Sequence, residues 1–234
     1  MADASRTNPV TPYRDQRSAR IYRRTVIVLL FLMAVELLLT LYNGLWINAV
    51  LVMAIMIVIL SPAVVGRHFQ VTVPPEFQLL AVLFVFASLF LGEIRRYYDR
   101  IWWWDIALHT SSGLLLGLLG FLLIYVLNEN RRIELHLRPG FMALFAFLFA
   151  VTAGALWEIF EFSMDQLVGT NMQKPMLGDD SGLTDTMWDL IVDALGGLLI
   201  SVFGWWYMKR GERSFIVDWI RKFTDRNPRL FKSD

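Results

Sequence analysis

The sequence predicts an all-α, multi-pass membrane bundle of six transmembrane helices with a C-terminal amphipathic helix lying in the interface. Of its 234 residues 56% are hydrophobic and 14% aromatic, including nine Trp. Charged residues make up 18%, below the ~25% of soluble domains. The apolar residues fall into runs near the ~20 residues a helix needs to cross a hydrocarbon core about 30 Å thick. Six such runs leave room for one membrane bundle and no separate soluble domain. This composition excludes a disordered, collagenous or nucleic-acid-binding chain. The net charge of +1 identifies no partner, and the absence of Cys excludes disulfides, thiolate metal sites and thiol nucleophiles.

Residues 1–24 are polar, Arg-rich and interrupted by Pro9 and Pro12, as in a mobile cytoplasmic tail. Residues 25–208 form the six-span membrane domain. The first span is about Thr25 to Tyr42, too long for a signal-peptide core and without a small-residue cleavage site. Asn43-Gly44 turns the chain into a second span, about Leu45 to Val65. A loop ending at Pro74-Pro75 precedes the third, about Phe77 to Gly92. Basic residues Arg95 to Arg100 and the belt Trp102, Trp103 and Trp104 lead into the fourth, about Trp104 to Leu127. The fifth is about Pro139 to Phe162, with Pro139 suited to a first helical turn. The polar loop Gly169 to Leu183 precedes the sixth, about Thr184 to Met208, which ends in the belt Trp205, Trp206 and Tyr207. In the tail, residues 209–234, Phe215, Ile216, Trp219, Ile220 and Phe223 share one helical face flanked by basic residues, an interfacial pattern.

With six spans both termini share a side. That side holds eighteen of the Lys and Arg residues and the other holds four, so the positive-inside rule places both termini in the cytoplasm. The start of the fourth span, the end of the fifth and the start of the sixth then meet at the outer side, and their ionisable residues converge. Asp105 and His109 stand one turn apart on the fourth. Glu158, Glu161 and Asp165 form a stripe on the fifth, and Asp185, Asp189 and Asp193 one on the sixth. Asp193 lies ~12 Å deeper than Asp185 at 1.5 Å per residue. An Asp at a helix centre in a bilayer costs about 2.5–3.5 kcal/mol, so such a cluster needs protons, cations or a metal. The spans contain no Lys or Arg, which leaves shared protons, a metal ion, or the loop residues Arg95, Arg96, Arg100 and Lys174 folding over the site.

Each residue also has a plainer reading. Asp105 and Asp185 begin helices, where a carboxylate caps free N–H groups. Asp165, Asp179 and Asp180 read as solvated, and His68 and His136 as surface residues. Glu36 reads either as a partner of the acid site or as a protonated packing residue. Gly113, Gly117, Gly196 and Gly197 read as points of close helix approach. Ser112 reads as bonding back to its own helix or standing beside His109.

The set Asp105-x3-His109, Trp157-Glu158-x2-Glu161 and Asp185-Thr186-x2-Asp189-x3-Asp193-x2-Gly196-Gly197 resembles the YjdF-like bacterial inner-membrane proteins, and more distantly the VanZ-like proteins. The resemblance covers about residues 25–208 and is strongest over 102–200. It implies a six-span bundle in a bacterial plasma membrane and supplies no reaction. Ile106 stands where VanZ-like chains often carry Lys, and Glu161 and Asp193 replace their usual Gln and Asn.

Several functions fit these residues. One is an enzyme using a divalent ion such as Mg²⁺, Mn²⁺ or Zn²⁺ on a lipid-linked or amphipathic substrate. In it His109, Glu158, Glu161, Asp189 and Asp193 are the metal-ligand set, with His109, Glu158 and Asp105 as catalytic groups. Asp105 then orients His109, and Arg95, Arg96, Arg100 and Asp185 face the substrate. Another is a carrier for a cation or proton, since intramembrane acids mark ion paths. A third is a non-catalytic scaffold or resistance subunit whose acids bind a partner. Membrane lipids are partners in every case.

Overall fold

The computed structural model describes residues 12–68, 73–129, 137–210, 222–223 and 226–227. Among these every regular element is a helix and no named β-strand forms, a single isolated bridge pairing Met176 with Asp179. Two compact units follow each other along it, Met1–Tyr97 and Tyr98–Asp234.

The first unit holds α1 (Pro12–Tyr42), α2 (Trp46–His68) and α3 (Pro75–Val85), the last continuing as a π-helical stretch, Phe86–Ile94. Helix α1 starts well before the expected Thr25. Pro12 suits a first turn, and Arg, Gln and Ala are good helix formers, so residues 12–24 are helical and continuous with the span. Gly44, at φ +69°, makes the turn into α2. Leu29, Met33, Val52, Ile59, Val82, Phe86 and Phe90 belong to this unit's apolar core.

The second unit holds the short α4 (Tyr97–Arg100, which begins at its boundary), α5 (Trp104–Glu129), α6 (Pro139–Val168) and α7 (Leu183–Arg210). The last three pack against one another along their lengths. Their contact is close because small residues line it. A Cβ at Gly120 would meet the Ala146 backbone at 2.9 Å, and one at Gly197 the Ala150 Cβ at 2.9 Å. Phe121, Ile124, Met142 and Ala146 fill the end of the unit away from the acids.

Among the described residues five helices are long and apolar enough to cross a membrane: Gln16–Tyr42, Pro75–Ile94, Trp104–Tyr125, Pro139–Val168 and Leu183–Arg210. The apolar part of α2, Trp46–Pro62, is shorter, about 25 Å at 1.5 Å per residue. Large apolar side chains cover the outside, among them Phe31, Leu38, Ile47, Ile159 and Leu199. A soluble protein rarely exposes so much contiguous apolar surface, whereas lipid covers it without cost. The amphipathic C-terminal helix was expected on a segment whose residues 211–221 lie outside the described residues. Beyond it, the Asn227 side-chain amide donates to the Phe223 carbonyl at 2.7 Å.

Candidate functional site

The first turns of α5 and α7 and the last turns of α6 meet at one end of the second unit. His109 stands at the centre, with both ring nitrogens facing acids. Nε2 lies 3.6 Å from Asp105 Oδ1 and 3.8 Å from Asp189 Oδ2. Nδ1 lies 3.2 Å from Asp193 Oδ2 and 3.8 Å from Glu158 Oε1. Three helices thus bring four carboxylates within 4 Å of one imidazole. The i, i+4 spacing of Asp105 and His109 puts both on one face of α5, and the same spacing aligns Asp189 with Asp193 on α7.

Burial makes this arrangement demanding. Glu158, Asp189 and Asp193 are buried, with Asp189 at 0% exposure, and His109 is nearly so. Both carboxylate oxygens of Asp189 are shut off from solvent and have no hydrogen-bond partner. The same holds for Glu158, which has Thr186 alongside. Among the described residues no Lys or Arg nitrogen pairs with any of the four acids at the imidazole. One imidazolium cannot balance four carboxylates, so charge neutrality requires shared protons or a further cation.

Asp193 is the best satisfied of the four. The Ser112 hydroxyl lies against its Oδ1 and, at 2.8 Å, against the His109 carbonyl oxygen. Both readings of Ser112 therefore hold. Gly154 on α6 makes room for this carboxylate, because a Cβ there would stand 2.7 Å from Asp193 Oδ2. The sequence reading had not singled out Gly154. Its i, i+4 relation to Glu158 was the available signal, since both lie on the same face of α6.

The other site candidates are placed differently. Glu161, one turn beyond Glu158, is buried and accepts the indole N–H of Trp157 at 2.8 Å. Asp185 is buried and accepts the backbone N–H of Lys174 at 2.6 Å, so it holds a loop rather than capping its own helix. Arg95, in the first unit, pairs with Glu36 at 2.9 Å. Glu36 is therefore engaged in an ion pair within its own unit rather than packed as an isolated protonated group. Arg96 takes a left-handed backbone conformation, φ 59°, and Arg100 is exposed at the end of α4.

The loop between α6 and α7 is tied down at many points. Asp165, expected to be solvated, accepts hydrogen bonds from the Thr170 hydroxyl (2.6 Å) and from the backbone N–H groups of Met172 (2.8 Å) and Gln173 (2.9 Å). The Gln173 amide donates to the Thr186 hydroxyl at 2.7 Å. Asp179, also expected to be solvated, accepts from the hydroxyl and N–H of Ser181 and of Thr184, at 2.6–3.0 Å. Those bonds, the Ser181 hydroxyl first, hold its carboxyl well below the usual carboxylate range. The Lys174 ammonium donates to the Asn171 carbonyl and sits 5.8 Å over the Tyr98 ring. The sequence signal for both acids was a short polar side chain followed by Thr or Ser in a turn.

Asp105, His109 and Asp189 offer one ligand atom each within 4.8 Å of one another. Ligands at ~2.1 Å from a tetrahedral ion stand ~3.4 Å apart, so only small side-chain movements would close this set on an ion. One imidazole with two carboxylates suits a borderline or hard divalent cation. The orphaned oxygens of Asp189 are the polar atoms such a cation would satisfy.

These features define a multi-pass α-helical membrane protein with a buried acid–histidine cluster between three of its helices. The chain belongs to the DUF2238 family, described as predicted membrane proteins, whose pattern matches residues 22–210. It is similar to an uncharacterized protein of Thermotoga maritima, 32% identical over 136 residues. The matched region is 58% of this chain and 65% of that relative, just under two thirds of the relative's length. No solved structure is significantly similar to the chain.

Proposed function

We propose that this chain is a divalent-metal-dependent membrane enzyme acting on a lipid-linked or amphipathic substrate. The carrying observation is Asp189, a fully buried carboxylate with two unpartnered oxygens, facing Nε2 of His109 beside Asp105. In this reading Asp105, His109 and Asp189 hold the ion, where the sequence alone had put Asp193 among the ligands and Asp105 behind His109. Asp193, held by Ser112, accepts a hydrogen bond from Nδ1–H of His109 and so turns the Nε2 lone pair toward Asp105 and Asp189. A divalent ion held there would supply Lewis acidity and an acidified bound water. Glu158, buried 3.8 Å from Nδ1 and beside Thr186, is the carboxylate assigned to take a proton from a substrate or water entering the site. Glu161, fixed by Trp157, adds a further carboxyl group one turn away. Asp185 holds the loop across the site. Arg100, four residues before α5, and Lys174, on the loop that Asp185 holds, are the cations at this end of the unit, whereas Arg95 is engaged with Glu36.

We extend the proposal to topology. The shorter α2 completes six spans, both termini are cytoplasmic, and the membrane is a bacterial plasma membrane, as the YjdF-like resemblance implies. The more distant VanZ-like resemblance rests on the shared motif alone. A carrier is the weaker reading. No Asp, Glu, His, Lys or Arg occurs from Thr110 to Asn128, Pro139 to Trp157 or Ala194 to Met208. Beyond Asp193 the helix contacts run through Gly117, Gly197, Ile200 and Gly204, with no ionisable group to relay a charge. The test is metal analysis of full-length protein purified with native lipid and without chelator. About one divalent ion per chain is expected, and protein free of any divalent ion overturns the proposal.

A further inference from the structure

At the opposite end of the second unit, α6 and α7 leave an apolar groove of about 290 Å³ between them. Ala143 and Phe147 line one wall, Leu198 and Val202 the other, and Trp205 stands at one end. At ~30 Å³ for each water-sized group, the groove takes roughly ten of them, a stretch of hydrocarbon chain rather than a bulky ring system. It is open along its length, so a molecule dissolved in the bilayer reaches it sideways.

The groove mouth is basic. The Lys209 ammonium lies 5.0 Å over the Trp205 ring, and the Arg210 guanidinium 4.0 Å over the Trp206 ring. These contacts hold both cations at the level of the aromatic belt rather than letting them extend into water. Arg138, exposed, stands two residues before Gly140, which also lines the groove. Three cations therefore stand where the apolar wall ends, and the stretches of α6 and α7 at this end, Leu137–Ala150 and Ile200–Arg210, carry no carboxylate, while α5 ends there on the single acid Glu129. An apolar slot closed at one end by aromatic rings and fixed positive charge is complementary to a molecule with an acyl chain and an anionic head.

We propose that this groove is a binding site for one anionic phospholipid, its acyl chain between α6 and α7 and its phosphate against Lys209, Arg210 and Arg138. This site is independent of the metal centre and of any enzymatic reading. It differs from the general attraction of basic residues to a membrane surface because it needs the apolar slot as well as the charges.

The test is native mass spectrometry of full-length protein in detergent, titrated with phosphatidylglycerol or with phosphatidylcholine of the same chains. Wild-type protein should retain one phosphatidylglycerol in clear preference to phosphatidylcholine. K209Q/R210Q should weaken that retention about 30-fold, from roughly fivefold per cationic side chain at a membrane surface. Val202→Trp, on a lipid-exposed position, fills the slot and leaves the charges. It should weaken retention roughly tenfold or more, since each buried methylene is worth about fourfold. Leu144→Trp on the α6 side serves if Val202→Trp does not fold. Added inorganic phosphate should not displace the lipid. Equal retention of the two lipids, undiminished retention in the slot-filled variant, or displacement by free phosphate would each overturn the site.

Discussion

The first unit, Met1–Tyr97, and the second, Tyr98–Asp234, are both built from long apolar helices, yet they bury different groups. Between α1, α2 and α3 the interfaces are filled by Leu, Met, Val, Ile and Phe. The ion pair Glu36–Arg95 lies at the edge of this unit, with Arg95 half exposed. Between α5, α6 and α7 the interfaces are lined by glycine and alanine, and the space so created at one end holds Asp105, His109, Glu158, Asp189 and Asp193. Large side chains close an interface by themselves and need nothing further. Small ones bring backbones together and leave shaped room, and here that room is filled by groups that cannot all be charged without a cation. The first unit has the makeup of packing, and the second that of a site.

The sharpest way to break this contrast is to remove one acid from each unit. Asp189→Asn keeps the side-chain volume and removes one negative ligand. Bound divalent metal should fall by more than about 100-fold, to effective loss, because a direct ligand goes, whereas losing only a support costs about 10–100-fold. Glu36→Gln should leave metal content unchanged and cost no more than about 1 kcal/mol in thermal stability, as half-exposed pairs do. Equal loss of metal in both variants would abolish the distinction between the units.

Asp193→Asn probes the support rather than the ligand set. With its accepting oxygen pair reduced, the Nδ1 proton of His109 loses its fixed partner, and metal affinity should drop about 10–100-fold without vanishing. Isothermal titration with Mn²⁺ or Zn²⁺ reads this directly. A complete loss, matching Asp189→Asn, would make Asp193 a ligand after all.

Two glycines sharpen the comparison further. Gly154→Ala in the second unit pushes a methyl to 2.7 Å from the Asp193 carboxylate, so it should lower stability by about 1–3 kcal/mol and weaken metal binding. Gly44→Ala in the first unit meets no atom within 4 Å and suffers only its positive φ, about 1–2 kcal/mol, with metal binding intact. Metal titration separates the two even where melting temperatures coincide.

The smallest expected effect is on the loop between α6 and α7. Asp179 binds its proton less readily when folded than an ordinary Asp does, because Ser181 and Thr184 donate to its carboxylate. Its contribution to loop order is therefore complete above the ordinary Asp range, near pH 4, and is lost as pH falls below it. Hydrogen exchange at the Ser181 and Thr184 amides, corrected for intrinsic rates, should be flat from pH 7 to 5 and faster below about pH 4. Acceleration already near pH 6 would assign the loop's order to another group.

The helices and the meeting of their acids were legible in the sequence because both follow from local rules. A run of apolar residues sets a span, and i, i+4 spacing sets a face, whatever the neighbours are. Hence Asp105 with His109, and Asp189 with Asp193, could be placed together before any contact was known. The pairing of Arg95 with Glu36 and the hold of Asp185 on the Lys174 N–H join groups far apart along the chain, and the π-helical turn ahead of Arg95 and the turn bonds of Asp165 and Asp179, though local, follow no helical periodicity that the sequence displays. The two sides of the imidazole are of the same kind. Asp105 and Asp189 face Nε2 and Asp193 faces Nδ1 because α5 and α7 approach through Gly113 and Gly196 at one rotation, with Gly154 admitting the Asp193 side chain. The sequence by itself determined which chemical groups occur at that end of the bundle. Only helix packing decided which ring nitrogen each acid meets, since a small rotation about a helix axis exchanges neighbours without changing a single residue.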